Sequence, residues 1–106
     1  MISEERVEKA VEFIRDNAER IGDLVGYCKS LEQQRKVVHG QAFLEATGTV
    51  AEREATAYAS PEFKVITEEI ENAWAAKTTL ETKMRAAELT IETWRSQNKW
   101  GDRGHL

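Results

Sequence analysis

The sequence predicts an all-α fold: an antiparallel hairpin of two long helices with a short connecting helix, coiled-coil-like and assembled into an oligomeric bundle. Apolar residues recur at spacings of three and four in both halves of the chain, as in helices that bury a narrow stripe. Charged residues make up 32% of the chain and proline occurs once, a composition typical of exposed helical surface. A length of 106 residues predicts a single domain, residues 1–106.

The first long helix is predicted at about residues 4–46. Ser3 can cap its first turn, and glutamates follow where the helix dipole favours acids. Its apolar stripe changes phase beyond about residue 24, and Gly22 and Gly26 bracket the change. The glycines indicate a weak or bent stretch of helix, or alternatively a hinge or a close helix crossing. The shifted stripe consists of Leu24, Leu31 and Val38, flanked by Cys28 and Ala42.

The connecting helix is predicted at residues 50–59. Gly48 is a natural stop for the first helix, because glycine readily adopts the left-handed conformation of a helix C-terminus. Thr49 can then cap the connecting helix, with Glu52 at the capping-box position.

The last helix is predicted at about residues 61–98, followed by a tail, 99–106. Ser60 is its expected cap and Pro61 its first residue, where the missing amide hydrogen costs nothing. One hairpin has little interior, so its apolar stripes favour self-association. The predicted oligomer interface consists of Phe63, Ile66, Ile70, Trp74, Lys77, Leu80, Met84, Ile91 and Trp94.

Lys77 is the polar exception in this stripe. A polar residue at such a position commonly fixes register or oligomer state, and a hairpin folded about residues 53–55 would bring Lys77 level with Glu32. The alternative is that the Lys77 ammonium simply reaches out of a partly open seam into solvent.

Catalytic, metal and membrane functions are not predicted. Cys28 is the only cysteine, and neither it nor His39 and His105 has ligand spacing. The glycines form no phosphate-binding loop, so we expect no enzyme activity and no cofactor. No apolar run approaches the roughly 20 residues of a membrane helix, and no secretory signal begins the chain. These observations favour a cytoplasmic protein without membrane contacts.

The distribution of charge leaves two interpretations open. The net charge is −4, yet residues 27–44 carry three cations against one glutamate, and residues 93–106 carry cations beside Trp94 and Trp100. Cations beside aromatic rings can hold a single nucleic-acid strand through phosphate contacts and base stacking. Alternatively, the cations are explained by the helix dipole, which favours positive charge near a helix C-terminus, and Trp94 belongs to the apolar stripe.

Several segments resemble a family of small helical proteins of phages and prophages. They are QRK at 34–36, GTVAER at 48–53 and AYASPEFK at 57–64, with scattered residues between Glu88 and Arg95. More loosely, the chain resembles the recombination mediators of T-even-type phages. The resemblance implies a helical, oligomeric protein that binds single-stranded DNA and helps to load a recombinase.

We therefore expect a non-enzymatic accessory protein of DNA recombination that binds single-stranded DNA weakly and acts as a mediator or adaptor. Its expected partners are further copies of itself, single-stranded DNA and recombination proteins. The expected phosphate contacts are Lys29, Arg35, Lys36 and Arg53, of which Arg53 is implied by the resemblance alone. The alternative is an oligomeric coiled-coil structural or regulatory adaptor that binds only protein.

Overall fold

The computed structural model describes the backbone of residues 1–104 and the side chains of residues 1–99. Three helices, α1 (Glu4–Glu45), α2 (Val50–Tyr58) and α3 (Pro61–Gly104), cover 91% of the described residues 1–104, and these residues contain no strand. The predicted all-α class is therefore confirmed.

Helix α3 extends beyond the end predicted at residue 98. It continues to Gly104. Gly101 lowers the helix propensity but keeps its backbone N–H group, so it does not end the helix. The remainder of the predicted tail, 105–106, lies outside the described residues, as do the side chains of Trp100 and Arg103.

Each helix begins at a cap that the sequence predicts. Ser3 Oγ accepts a hydrogen bond from the Arg6 amide at 3.2 Å. Thr49 Oγ1 accepts from the Glu52 amide, also at 3.2 Å. The third cap is Ser60, whose Oγ accepts from the Phe63 amide at 3.3 Å. The three caps satisfy amides that a helix leaves unpaired in its first turn.

The structure divides into two compact units, and α1 and α3 each contribute a segment to both. One unit spans Asp23–Lys77 and contains α2. Contacts between residues such as His39 and Phe63, and Glu32 and Trp74, show that its α1 and α3 segments run antiparallel. Its core joins α1 to α3 through one cluster: Cys28, Leu31, Ile66, Ile70 and Ala73, with Val38 packed against it.

The second unit combines Met1–Gly22 with α3 from Thr78 onward. Ala10 and Leu80 are its buried apolar residues within the described part. The Ile2 amide donates a hydrogen bond of 2.9 Å to Gln97 Oε1, so the start of the chain is held beside the C-terminal part of α3.

Gly22 and Gly26 lie within an uninterrupted α1. A Cβ atom added to either would meet nothing within 4 Å, so no other helix of the described chain crosses closely at these glycines. Gly48 differs, because its φ of 109° lies in the left-handed region and an added Cβ would meet the Glu52 carboxylate.

This contrast predicts opposite effects of the same substitution. Gly22→Ala should raise the free energy of unfolding by roughly 0.5–1 kcal/mol, because alanine has the higher helix propensity. Gly48→Ala should lower it by about 1–2 kcal/mol, because the left-handed conformation strains a Cβ. Urea unfolding followed by far-UV circular dichroism measures both values. Equal shifts in the two variants would contradict the assignment of Gly48 as the helix-ending glycine.

Candidate nucleic-acid interface

The end of the Asp23–Lys77 unit contains an open pocket of about 280 Å³ lined by cations and aromatic rings. Its lining, here called the basic aromatic pocket, is Arg35, Lys36, His39, Tyr58 and Phe63. All three helices contribute. The first three residues lie on neighbouring positions of α1, while Tyr58 ends α2 and Phe63 stands in the first turn of α3.

The three rings of the basic aromatic pocket pack against one another. The ring centroids of His39 and Tyr58 are 4.6 Å apart, and those of Tyr58 and Phe63 are 5.3 Å apart with nearly perpendicular planes. His39 and Phe63 complete the triangle at 6.1 Å. Edge-to-face pairs at these distances are favourable. They hold the Tyr58 ring in place although 60% of that residue is exposed.

The His39 imidazole has unused hydrogen-bonding capacity. Its Nε2 atom is buried and has no hydrogen-bond partner. A buried polar atom without a partner lowers stability, and other atoms of His39 line the basic aromatic pocket.

Arg35 and Lys36 are the predicted phosphate contacts that the structure brings together. Lys29 is exposed on α1, and its seven-residue spacing from Lys36 puts both on nearly the same face, about 10 Å apart along the helix axis. Arg53 lies elsewhere, half-buried on α2, with its guanidinium carbon 6.0 Å from the centre of the Phe43 ring. The Arg53 Nε atom is buried without a hydrogen-bond partner.

The sequence interpretation missed His39 and Tyr58 as parts of this site and placed Phe63 only in the apolar stripe. The sequence does contain a local indication that Tyr58 and Phe63 lie close together. The short Ala59-Ser60 connection between α2 and α3 necessarily keeps Tyr58 and Phe63 close together. The approach of His39 depends on how α1 packs against α3, which spacing along the chain does not reveal.

Three of the nine predicted oligomer-interface residues are buried by packing within the chain. Ile66, Ile70 and Leu80 are buried. The half-buried members are Phe63, Lys77, Met84, Ile91 and Trp94. Trp74 is exposed, so it is the member of the set with the most surface open to a second chain.

Trp74 connects the two residues that the sequence suggested as partners. Its indole N–H donates a hydrogen bond of 3.1 Å to Glu32 Oε1. The Lys77 ammonium lies 3.8 Å from the centre of the Trp74 ring, a cation–π distance. Trp74 is therefore the residue of α3 that lies level with Glu32, and Lys77, three residues further along the helix, contacts the Trp74 ring.

Among residues 1–99, no group of three His, Cys, Asp or Glu side chains is placed to hold a metal ion. None of the described helices has a stretch long and apolar enough to cross a membrane.

No family model matches the chain, and no curated protein or solved structure is significantly similar to it.

Proposed function

We propose that this chain is a non-enzymatic accessory protein of DNA recombination that binds single-stranded DNA weakly. The observation that carries the proposal is the basic aromatic pocket. A volume of about 280 Å³ lies just below the roughly 300–1,000 Å³ of drug-sized ligand sites, which suits one planar base. The guanidinium of Arg35 and the ammonium of Lys36 stand beside the rings, where the phosphates flanking a stacked base would lie.

The chemistry of the basic aromatic pocket favours single strands over duplex. A base inside a duplex already stacks on both faces, whereas a base in a single strand can stack on Tyr58. Each pocket offers few cations and the net charge is −4, so binding by one copy is weak. Self-association in the cytoplasm would repeat the pocket along one strand and raise the affinity through multivalency.

The mediator role rests on the resemblance to phage recombination mediators together with this pocket. A structural or regulatory adaptor that binds only protein is the second candidate. It is favoured by Leu44 and Val50, which flank the turn between α1 and α2 and are 78% and 67% exposed. Large apolar side chains so exposed are typical of protein contacts when they form a patch.

A salt titration tests the proposal. Wild-type protein should bind labelled oligo(dT) at low salt. In a plot of log affinity against log salt concentration, the slope should be negative, with a magnitude of about 0.7 for each phosphate neutralised. Arg35→Gln combined with Lys36→Gln should weaken binding and reduce this slope by up to about 1.4. Fluorescence anisotropy measures both, and circular dichroism should show unchanged helix content, because neither side chain belongs to the buried core.

The matched control is Arg15→Gln combined with Lys83→Gln, which removes the same charge from exposed positions of the other unit. This control should leave the slope nearly unchanged. Equal effects of the two double variants would indicate binding by net charge alone. Absence of binding by the wild-type protein at low salt would overturn the proposal and leave the protein-only adaptor.

A further inference from the structure

A second surface of the Asp23–Lys77 unit is apolar at its centre and acidic at its edge. A groove of about 410 Å³ runs between α1 and α3, and a smaller pocket of about 180 Å³ adjoins it, sharing Val38 and Glu62. We call this surface the acidic groove. Its apolar residues include Val38, Ala42 and Val65, and its acidic residues are Glu45, Glu62 and Glu69.

The apolar part of the acidic groove is open to a ligand. Val65 is 55% exposed although it neighbours the buried Ile66. Val38 and Ala42 are half-buried and stand one helical turn apart on α1. The surface from residue 38 to residue 45 is about 10 Å long, which matches roughly two turns of a bound helix.

The glutamates of the acidic groove are not neutralised by the chain. Among residues 1–99, Glu45, Glu62 and Glu69 form no ion pair and no side-chain hydrogen bond. Three uncompensated carboxylates around one apolar surface produce a negative potential, which attracts cations and repels anions.

The acidic groove and the basic aromatic pocket lie on different sides of the core. On α1, the residues that line the two surfaces are centred roughly a third of a turn apart, with Leu31 between them. On α3 the buried Ile70 likewise lies between Val65 and Phe63 around the helix. A ligand in one surface therefore leaves the other accessible.

We propose that the acidic groove docks a basic amphipathic helix of a protein partner. Apolar residues of the partner, one turn apart, would pack on Val38, Ala42 and Val65, and its flanking lysines or arginines would pair with the glutamates. This is the helix-in-groove mode of recognition. A second copy of this chain is the less favourable occupant, because a symmetric dimer through this surface would bring the acidic residues of both copies into one interface.

The probe is a synthetic amphipathic helix with leucines along one face and lysines beside them. Its twin carries glutamates in place of the lysines. Wild-type protein should bind the lysine peptide with micromolar affinity, given the small area, and the glutamate peptide at least about tenfold more weakly. Fluorescence anisotropy of labelled peptides measures both affinities.

Two double variants of α3 locate the binding surface. Glu62→Gln with Glu69→Gln should weaken binding of the lysine peptide about tenfold. The control, Glu68→Gln with Glu71→Gln, changes the charge equally at exposed positions outside the groove and should change binding less than about twofold. Val65→Asp should also abolish binding, because it places a charge among the apolar contacts.

Three results would overturn the acidic-groove proposal: equal binding of the two peptides, equal loss in the two double variants, or a wild-type dimer that Val65→Asp dissociates.

The proposal goes beyond nucleic-acid binding and is tested separately from it. Glu62→Gln with Glu69→Gln should bind oligo(dT) no more weakly than the wild-type protein does. Arg35→Gln with Lys36→Gln should retain binding of the lysine peptide, so failure of one proposal leaves the other intact.

Discussion

Replacing Leu31 with alanine should lower the free energy of unfolding by about 2–5 kcal/mol, the range for leucine-to-alanine changes in well-packed cores. Leu31 is 2% exposed and belongs to the cluster that joins α1 to α3. The substitution leaves a cavity in the cluster that also contains Ile66 and Ile70. Natural domains are stable by only about 5–15 kcal/mol, so much of the stability of the fold depends on this residue.

Urea unfolding followed by circular dichroism measures the effect, and Leu44→Ala is the matched control. Both leucines lie on α1, but Leu44 is 78% exposed, so its truncation should change stability by less than about 0.5 kcal/mol. Similar losses in the two variants would contradict the packing of Leu31 against α3. A loss confined to Leu31→Ala would show that the α1–α3 cluster stabilises the unit.

Leu31 also shows which parts of the fold the sequence predicts well. Its place in the core follows from the stripe through Leu24 and Val38, because the helical repeat puts residues seven apart on nearly one face. The caps at Ser3 and Thr49 are predictable because each hydrogen bond joins residues only three positions apart. Such features need no knowledge of how the helices pack together.

The candidate site depends on helix packing and was therefore only half predicted. The cations Arg35 and Lys36 stand out in the sequence as a local excess of charge. His39 and Tyr58 join them only because α1 and α3 pack in one particular register and α2 closes the end. Glu62 resembles any solvated helix carboxylate until the apolar surface beside it is visible. Trp74 likewise joins Glu32 to Lys77 through a contact across the helix pair.

Truncation of Tyr58 should produce the largest loss of single-strand binding. Tyr58→Ala removes the exposed ring of the basic aromatic pocket, and base–aromatic stacking contributes roughly 1–3 kcal/mol per base. We therefore expect oligo(dT) affinity to fall by about 5- to 150-fold. The fold should persist, because Ala57 supplies the buried side chain of α2. Tyr58→Phe should bind nearly as well as the wild-type protein, since the ring remains.

Tyr27→Ala is the matched control, because Tyr27 is also about half exposed but lies outside the pocket. An abasic strand separates stacking from charge. Wild-type protein and Tyr58→Ala should bind that strand equally, since only phosphates remain to be recognised. With oligo(dT), Tyr58→Ala should lower the affinity while preserving the salt slope, whereas removal of Arg35 and Lys36 should reduce the slope. Loss of abasic-strand binding in Tyr58→Ala would instead mean that the tyrosine supports the structure of the pocket and does not stack on a base.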